Sequence, residues 1–262
     1  MHSRDLHRYT IDGVGRVSTS ANVAMEAACP TCGEEFTYVG LHWNRGSCGY
    51  PEIPESVEER LIGILMGDGN VESRDGKNGY MRITSVTNEF LEWIKQTCPW
   101  LFTEVRVTKT PEQSREYVED YVEDASDYTF RTIYELKTRS HPYFKHLREK
   151  WYPNNEKYFP DALDLTPEMV RMWYAADGYI ASGSESLPPT IRADNEMRRP
   201  EYLRELFNEH GFDPSVGGGD IRFNGEDRDR FLKWIGDPVP GFEYKWERQS
   251  REHYDAKRAE VI

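Results

Sequence analysis

Lysine is scarce in this sequence: about ten of its 33 basic residues, the rest being arginine, against 46 acids. The resulting net charge of -13 is the wrong sign for a protein that grips a polyanion. Nucleic-acid binding then requires acids on the solvated faces and arginines gathered on one groove. That arrangement suits a protein adapted to high salt, where a short Debye length mutes long-range repulsion. Arginine in place of lysine is a bias associated with salt-loving hosts such as halophilic archaea. Long apolar runs are also missing. Nothing approaches the ~20 consecutive apolar residues of a membrane span, and the opening MHSRDLHRYT has no apolar signal core. No membrane partner and a cytoplasmic location are expected. Cysteine is limited to four residues, and a disulfide framework is not expected of them in a reducing compartment. There the Cys29-x-x-Cys32 pair is better suited to metal, and Cys98, standing apart, is expected to be a buried thiol. What is present is enough for a core, with 37% hydrophobic and 13% aromatic residues. The mean hydropathy of -0.79 therefore reflects a charged surface.

Residues 1–20 show little hydrophobic periodicity and are expected to form a flexible arm. A small module follows over 21–54, ending in the joint Tyr50-Pro51-Glu52-Ile53-Pro54. From there the chain repeats itself, over 55–160 and 161–262, as helix, two strands, helix, two strands, helix. In the first copy the helix Val57–Met66 is capped by Ser56, Tyr80–Val86 is a strand and Asn88 caps the next helix. Leu101–Thr108 and Tyr128–Arg139 are strands, and His141–Trp151 is the closing helix. The second copy opens with Thr166 and Pro167 at a helix start. Two strands follow within Ile180–Asp194, then a helix from Pro200 to His210. A hairpin around Gly217-Gly218-Gly219, a last helix Asp227–Ile235 and a charged tail past Trp246 complete it.

Two short strings carry the chemistry. In LIGILMGDGN, Leu61 to Asn70, an apolar helix with Gly63 and Gly67 ends on Asp68-Gly69. The glycines permit close approach of another helix. An acid at a helix C-terminus opposes the macrodipole and asks for a compensating cation, although a Gly-Asp-Gly turn is also an ordinary helix stop. In MWYAADGYI the pattern recurs, with Ala175 and Ala176 before Asp177-Gly178.

On these two strings the sequence resembles the LAGLIDADG homing endonuclease family. The runs YELKTRSHPYFKHLREKWYPNNEKYFPDALDLTPEMVRMWYAADG and PVPGFEYKW are similar to the inter-repeat and terminal segments of that family. The resemblance implies an α+β fold in which two pseudo-symmetric αββαββα repeats form a saddle over DNA. It also implies that Asp68 and Asp177 hold divalent metal, magnesium being suited to hard oxygen ligands, with the carbonyls of Gly67 and Ala176 as further ligands. Family position points to Lys157 and Lys245 as basic residues beside the two centres, though either fits an ordinary surface lysine. Met172 stands in the place of Gly63, so an asymmetric and locally splayed helix interface is expected.

Strand alternation places Tyr80, Arg82 and Thr84 on one face, Arg131, Lys137 and Arg139 on another, and Thr190 and Arg192 in the second copy. These are the candidate DNA-binding residues, arginine reading guanine, unless the strands are simply half-solvated. In the module, Cys29, Cys32, His42 and Cys48 suit structural zinc, and the run from His42 to Arg45 is a possible outer DNA contact. The acidic stretch Glu116 to Asp127 is expected to be a solvated loop. The expected activity is double-strand cleavage of a long, nearly asymmetric DNA site by a monomer. No protein-splicing block flanks the repeats, so a free-standing enzyme is expected. The alternatives are an RNA maturase assisting intron splicing and a DNA-binding regulator without catalysis.

Overall fold

The structure is a computed structural model that describes residues 8–11, 14–18, 27–46, 48–73, 77–119, 129–181 and 187–247. The charged tail past Glu247 and residues 120–127 of the acidic stretch lie outside these. Strands β1 (Arg8–Ile11) and β2 (Val14–Ser18) pair antiparallel, where an arm without regular structure is expected. The intervening dipeptide in the sequence, Asp12-Gly13, is a favoured hairpin pair, a signal that hydrophobic periodicity overlooks.

The module consists of β3 (Ala27–Ala28) and β4 (Glu35–Phe36), paired antiparallel, and α1 (Val39–Arg45). The first copy runs α2 (Glu55–Met66), β5 (Asn70–Glu72), β6 (Tyr80–Ser85), α3 (Asn88–Thr97), β7 (Arg106–Lys109), α4 (Pro111–Glu119), β8 (Ile133–Lys137), α5 (Pro142–Trp151). Helix α2 starts before the expected Ser56 cap, with Pro54 at its N-cap, and Thr87 rather than Asn88 caps α3. Helix α4 departs from the expected order, and its end takes in Glu116 to Glu119 of the supposed loop. Its cause is local: Thr110 and Gln113 exchange side-chain and backbone hydrogen bonds at 2.9 and 3.3 Å, a capping box with proline at the first helical position.

The second copy runs α6 (Pro167–Asp177), β9 (Gly178–Ile180), β10 (Pro189–Arg192), α7 (Pro200–Asn208), β11 (Ser215–Gly217), β12 (Asp220–Arg222), α8 (Asp227–Ile235). Thr166 caps α6 as expected, its hydroxyl accepting from the Met169 N–H at 3.2 Å. The sheets are ordered β5-β6-β8-β7 and β9-β10-β12-β11, antiparallel throughout, so each copy has the same topology. Their registers also match. Asn70 follows Asp68 by two residues and pairs with Arg82, which pairs with Lys137. Tyr179 follows Asp177 by two and pairs with Thr190, which pairs with Arg222. One step further along, Thr84 faces Glu135 and Arg192 faces Asp220, which makes those two acids counterparts.

Met81, Ile83 and Leu136 in one sheet, and Ile191 and Ile221 in the other, point into a core continuous across both copies. At its centre α2 packs on α6. A Cβ on Gly63 would lie 2.2 Å from the Met169 carbonyl oxygen and 2.7 Å from Met172 Cβ; one on Gly67 would lie 2.5 Å from Ala176 Cβ. Gly63 and Met172 each precede their aspartate by five residues, and Gly67 and Ala176 each precede it directly. Each residue therefore meets its own counterpart, as a pseudo-twofold axis through the contact requires. The expected splaying at Met172 does not occur, because its side chain occupies the space that Gly63 leaves. Arg60 pairs with Glu168 beside this contact, and both Arg60 and Arg171 lie over the Trp93 ring, at 5.1 and 5.5 Å. Among the described residues no helix is long and apolar enough to cross a membrane.

Candidate functional site

Because α2 and α6 cross at their C-terminal ends, Asp68 and Asp177 are delivered to one place. They line a shared cavity of about 160 Å³ with Lys157, Trp173, Arg192 and Asp194. Asp68 is exposed and Asp177 half-buried. Burial, reinforced by the charge of Asp68, pushes the Asp177 carboxyl up to about 6; Lys245, Lys157 and the Trp173 indole act in the opposite sense. That indole donates to Asp177 Oδ2 at 3.2 Å and fixes its orientation.

Each lysine closes the helix of its own copy. Lys157 Nζ donates to the carbonyls of Gly67 and Gly69 at 2.5 and 2.9 Å. Lys245 Nζ donates to those of Ala175 and Ala176, both at 2.7 Å. The cation that the helix ends call for is thus supplied by the chain itself. The carbonyls of Gly67 and Ala176, expected as metal ligands, are hydrogen-bonded by ammonium groups. Burial lowers the Lys157 ammonium to about 8 even though Asp177, Asp68 and Glu196 favour its charge. Two convergent carboxylates, one of them destabilised as an anion, form an all-oxygen donor set that fits a divalent cation such as magnesium. Trp173 lies within the MWYAADGYI string but was not singled out there, because an aromatic residue on an apolar helix reads as core.

The open sheet faces meet expectation only in part. Tyr80, Arg82 and Thr84 are partly exposed between the buried Met81 and Ile83. Arg192 is exposed. Thr190 is on the same side but buried, its hydroxyl donating to the Pro188 carbonyl at 3.2 Å. Lys137 is nearly covered, 3.2 Å from Glu135 and over the Tyr80 ring. Arg131 precedes β8 rather than lying in it. Arg139 is a correction: it is buried past the end of β8, and its guanidinium donates to the carbonyls of Pro99, Trp100 and Phe102. It pins a turn and has no surface to offer DNA.

In the module, the ligand atoms of Cys29, Cys32, His42 and Cys48 all lie within 4.8 Å of one another, and the cysteines are free thiols. Burial tends to raise the Cys29 thiol, but the N–H groups of Cys32 and Thr31 prevail and bring it down to about 6. Burial and the neighbouring Cys32 and Cys29 push Cys48 up to about 11. Crowded thiols that resist simultaneous ionisation are what a bound cation relieves, so the set fits zinc. Trp43 is buried, packing edge-on against Trp100 at 5.5 Å, while Tyr50 meets His141 at 5.2 Å. His42 stacks on Phe36 at 4.0 Å. Of the run from His42 to Arg45, only Asn44 and Arg45 remain exposed for any outer contact.

Residues 58–216, more than half of the chain, match the model of the LAGLIDADG DNA endonuclease family. The chain belongs to this family. It is also 26% identical over 131 residues to an uncharacterized protein of Methanocaldococcus jannaschii. That alignment spans 49% of this chain and 45% of the relative, so the chain covers less than half of the relative's length. The fold is similar to that of the homing endonuclease I-WcaI bound to its DNA recognition sequence, with a TM-score of 0.65 and 13% identity over 82% of this chain and 94% of that one. In this LAGLIDADG protein the aspartates at the feet of the central helices are therefore Asp68 and Asp177, and the sheets flanking them are β5-β6-β8-β7 and β9-β10-β12-β11.

Proposed function

We propose that this protein is a site-specific homing endonuclease that hydrolyses both strands of a long, nearly asymmetric DNA duplex as a monomer, using magnesium or another divalent cation. The observation that carries this reading is the convergence of Asp68 and Asp177, from equivalent helix ends, on one cavity with a lysine fastened beside each. Asp68 and Asp177 would hold the cation. When bound, it supplies activation of the attacking water and neutralises charge on the leaving oxygen. Lys157 and Lys245 order the backbone at the two helix ends and oppose the negative charge that develops on the phosphate. Trp173 keeps Asp177 Oδ2 turned into the cavity. Cys29, Cys32, His42 and Cys48 would hold zinc in an architectural role, closing a module whose buried core among the described residues is Cys29, Val39 and Trp43.

The test is incubation of the purified chain with a randomised duplex library and magnesium at high salt, followed by sequencing of the cut ends. Asp68→Asn and Asp177→Asn should each lower plasmid cleavage by about 100-fold or more, while binding in calcium survives. Undiminished cutting by both variants would make the aspartates plain helix stops and put the chemistry elsewhere.

A further inference from the structure

Each sheet carries an acid on its open face, and the two are counterparts: Glu135 in β8 and Asp220 in β12, each two residues ahead of a base. A bare carboxylate on a surface that approaches phosphates is a liability, yet neither acid is presented to solvent. Their side chains are 5% and 7% exposed, whereas those of Arg82, Arg106, Arg192 and Arg222 around them are 38%, 49%, 56% and 40% exposed. The acids form a floor from which the arginines rise.

The contacts explain how they are held. Glu135 Oε1 takes Arg106 side-on, through Nε at 2.7 Å and Nη2 at 2.5 Å, and its Oε2 lies 3.3 Å from Arg82 Nε. Glu72 takes Nη2 of Arg82 at 2.5 Å. In the other sheet Asp220 Oδ2 accepts from Arg222 Nη2, and Oδ1 faces Arg192 Nη1 at 3.8 Å, while Asp194 takes Arg192 Nε at 2.7 Å. A grip on Nε, as Glu135 has on Arg106 and Asp194 has on Arg192, leaves Nη1 of Arg106 and Nη2 of Arg192 as donors for guanine O6 or N7. Arg222 is held at both ends, its Nη1 donating to the Gly217 carbonyl at 3.2 Å, and stands as a fixed neighbour of Arg192. The acids themselves are too covered to accept from a cytosine amino group. Nor is stability an adequate reason for them, since exposed ion pairs contribute little and a covered carboxylate carries a desolvation cost.

We infer that Glu135 and Asp220 are positioning residues, Glu135 holding Arg106 and Arg82 and Asp220 holding Arg192 beside the fixed Arg222, so that arginines stand upright to read guanine in each half of the target. This rests on the DNA-cutting reading and extends it to sequence preference. The test is selection of duplexes from a library by binding in calcium, using the full chain and its Glu135→Leu, Glu135→Gln, Asp220→Leu and Asp220→Asn variants. The parent should enrich guanine in both halves. Glu135→Leu should lose about ten-fold of that preference in one half and Asp220→Leu in the other, while affinity for unselected DNA rises because a negative charge has gone. Glu135→Gln and Asp220→Asn, which keep an acceptor, should fall between; if the leucine variants do not fold, a several-fold weakening confined to one half by these two carries the test. A uniform gain of affinity with the base preference intact would overturn the inference. A parent that cuts DNA but shows no guanine preference would overturn it and leave the nuclease standing. A parent that enriches guanine in both halves without cutting would do the reverse, and one that binds no duplex would overturn both.

Discussion

Asp177 sets the pH behaviour of the site. Its folded-state value of about 6 lies above the ordinary 3.8, so between those values the folded chain binds a proton that the unfolded chain releases. Stability therefore falls as pH rises through this window, and above it the ionised carboxylate is a standing cost in the absence of metal. Asp177→Asn should then be more stable than the parent at pH 7 in chelator, by about 1–2 kcal/mol after allowance for solvent screening, with the difference vanishing below the ordinary carboxylate range. Thermal melts across pH check this, and a variant less stable than the parent at neutral pH would contradict it. On the proposed nuclease reading, cleavage should carry the opposite sign, rising through about pH 6 as Asp177 ionises, with a midpoint that moves down as magnesium competes with the proton. At this scale the sequence located Asp68 and Asp177 at the ends of two apolar helices, where they stand, and was a poor guide to the surroundings of Glu135, Asp220 and Arg139. Alternation within one strand says which face a residue occupies. It does not say which side chains of neighbouring strands will roof it, nor where the strand stops, and Arg139 was misassigned because the alternation was carried past Lys137.

Helix α2 depends on having no side chain at Gly63. A methyl group there would collide with the Met169 carbonyl as well as with Met172, and since the first of these is backbone, trimming the methionine cannot relieve it. Gly63→Ala should cost about 2–4 kcal/mol, and Gly63→Ala with Met172→Ala should be no more stable than the single variant. Denaturant titration decides this; recovery in the double variant would mean that the backbones are farther apart than they stand here. Helix boundaries with strong chemical punctuation, such as Thr166-Pro167 and the limits of α8, were legible in the sequence. Helix α4 was obscured by the acidic composition of its second half, although Thr110 and Gln113 announce it. The strands of both sheets are short, because the connections between them take over residues that the alternation pattern had claimed.

For the whole molecule, the module at 27–50 is coupled to the first copy through aromatic contacts, Trp43 on Trp100 and Tyr50 on His141, and through the Asn78 amide donating to the Tyr50 hydroxyl at 2.7 Å. About one zinc per chain should be found by elemental analysis. Its removal by chelator should release Trp43 to solvent, red-shift the tryptophan emission and lower the melting temperature without abolishing the α2 and α6 pairing. A metal-free preparation with an unchanged spectrum would remove zinc from the account. The duplicated plan was visible in the sequence as matching helix ends and strand patterns. The matching registers of the sheets were not, since pairing between distant strands leaves no mark on either one.

The contact of Gly63 with Met172 bears on the individuality of the two halves. Were two copies of the first half to associate, glycine would face glycine across the axis and leave a void; two copies of the second would bring methionine against methionine where one side chain fits. Each half has thus become a lock for the other's key and a misfit for its own likeness. A gene split between the repeats would be expected to yield partners that choose one another over themselves, and the linker between them would then be a convenience of synthesis more than the source of their fidelity.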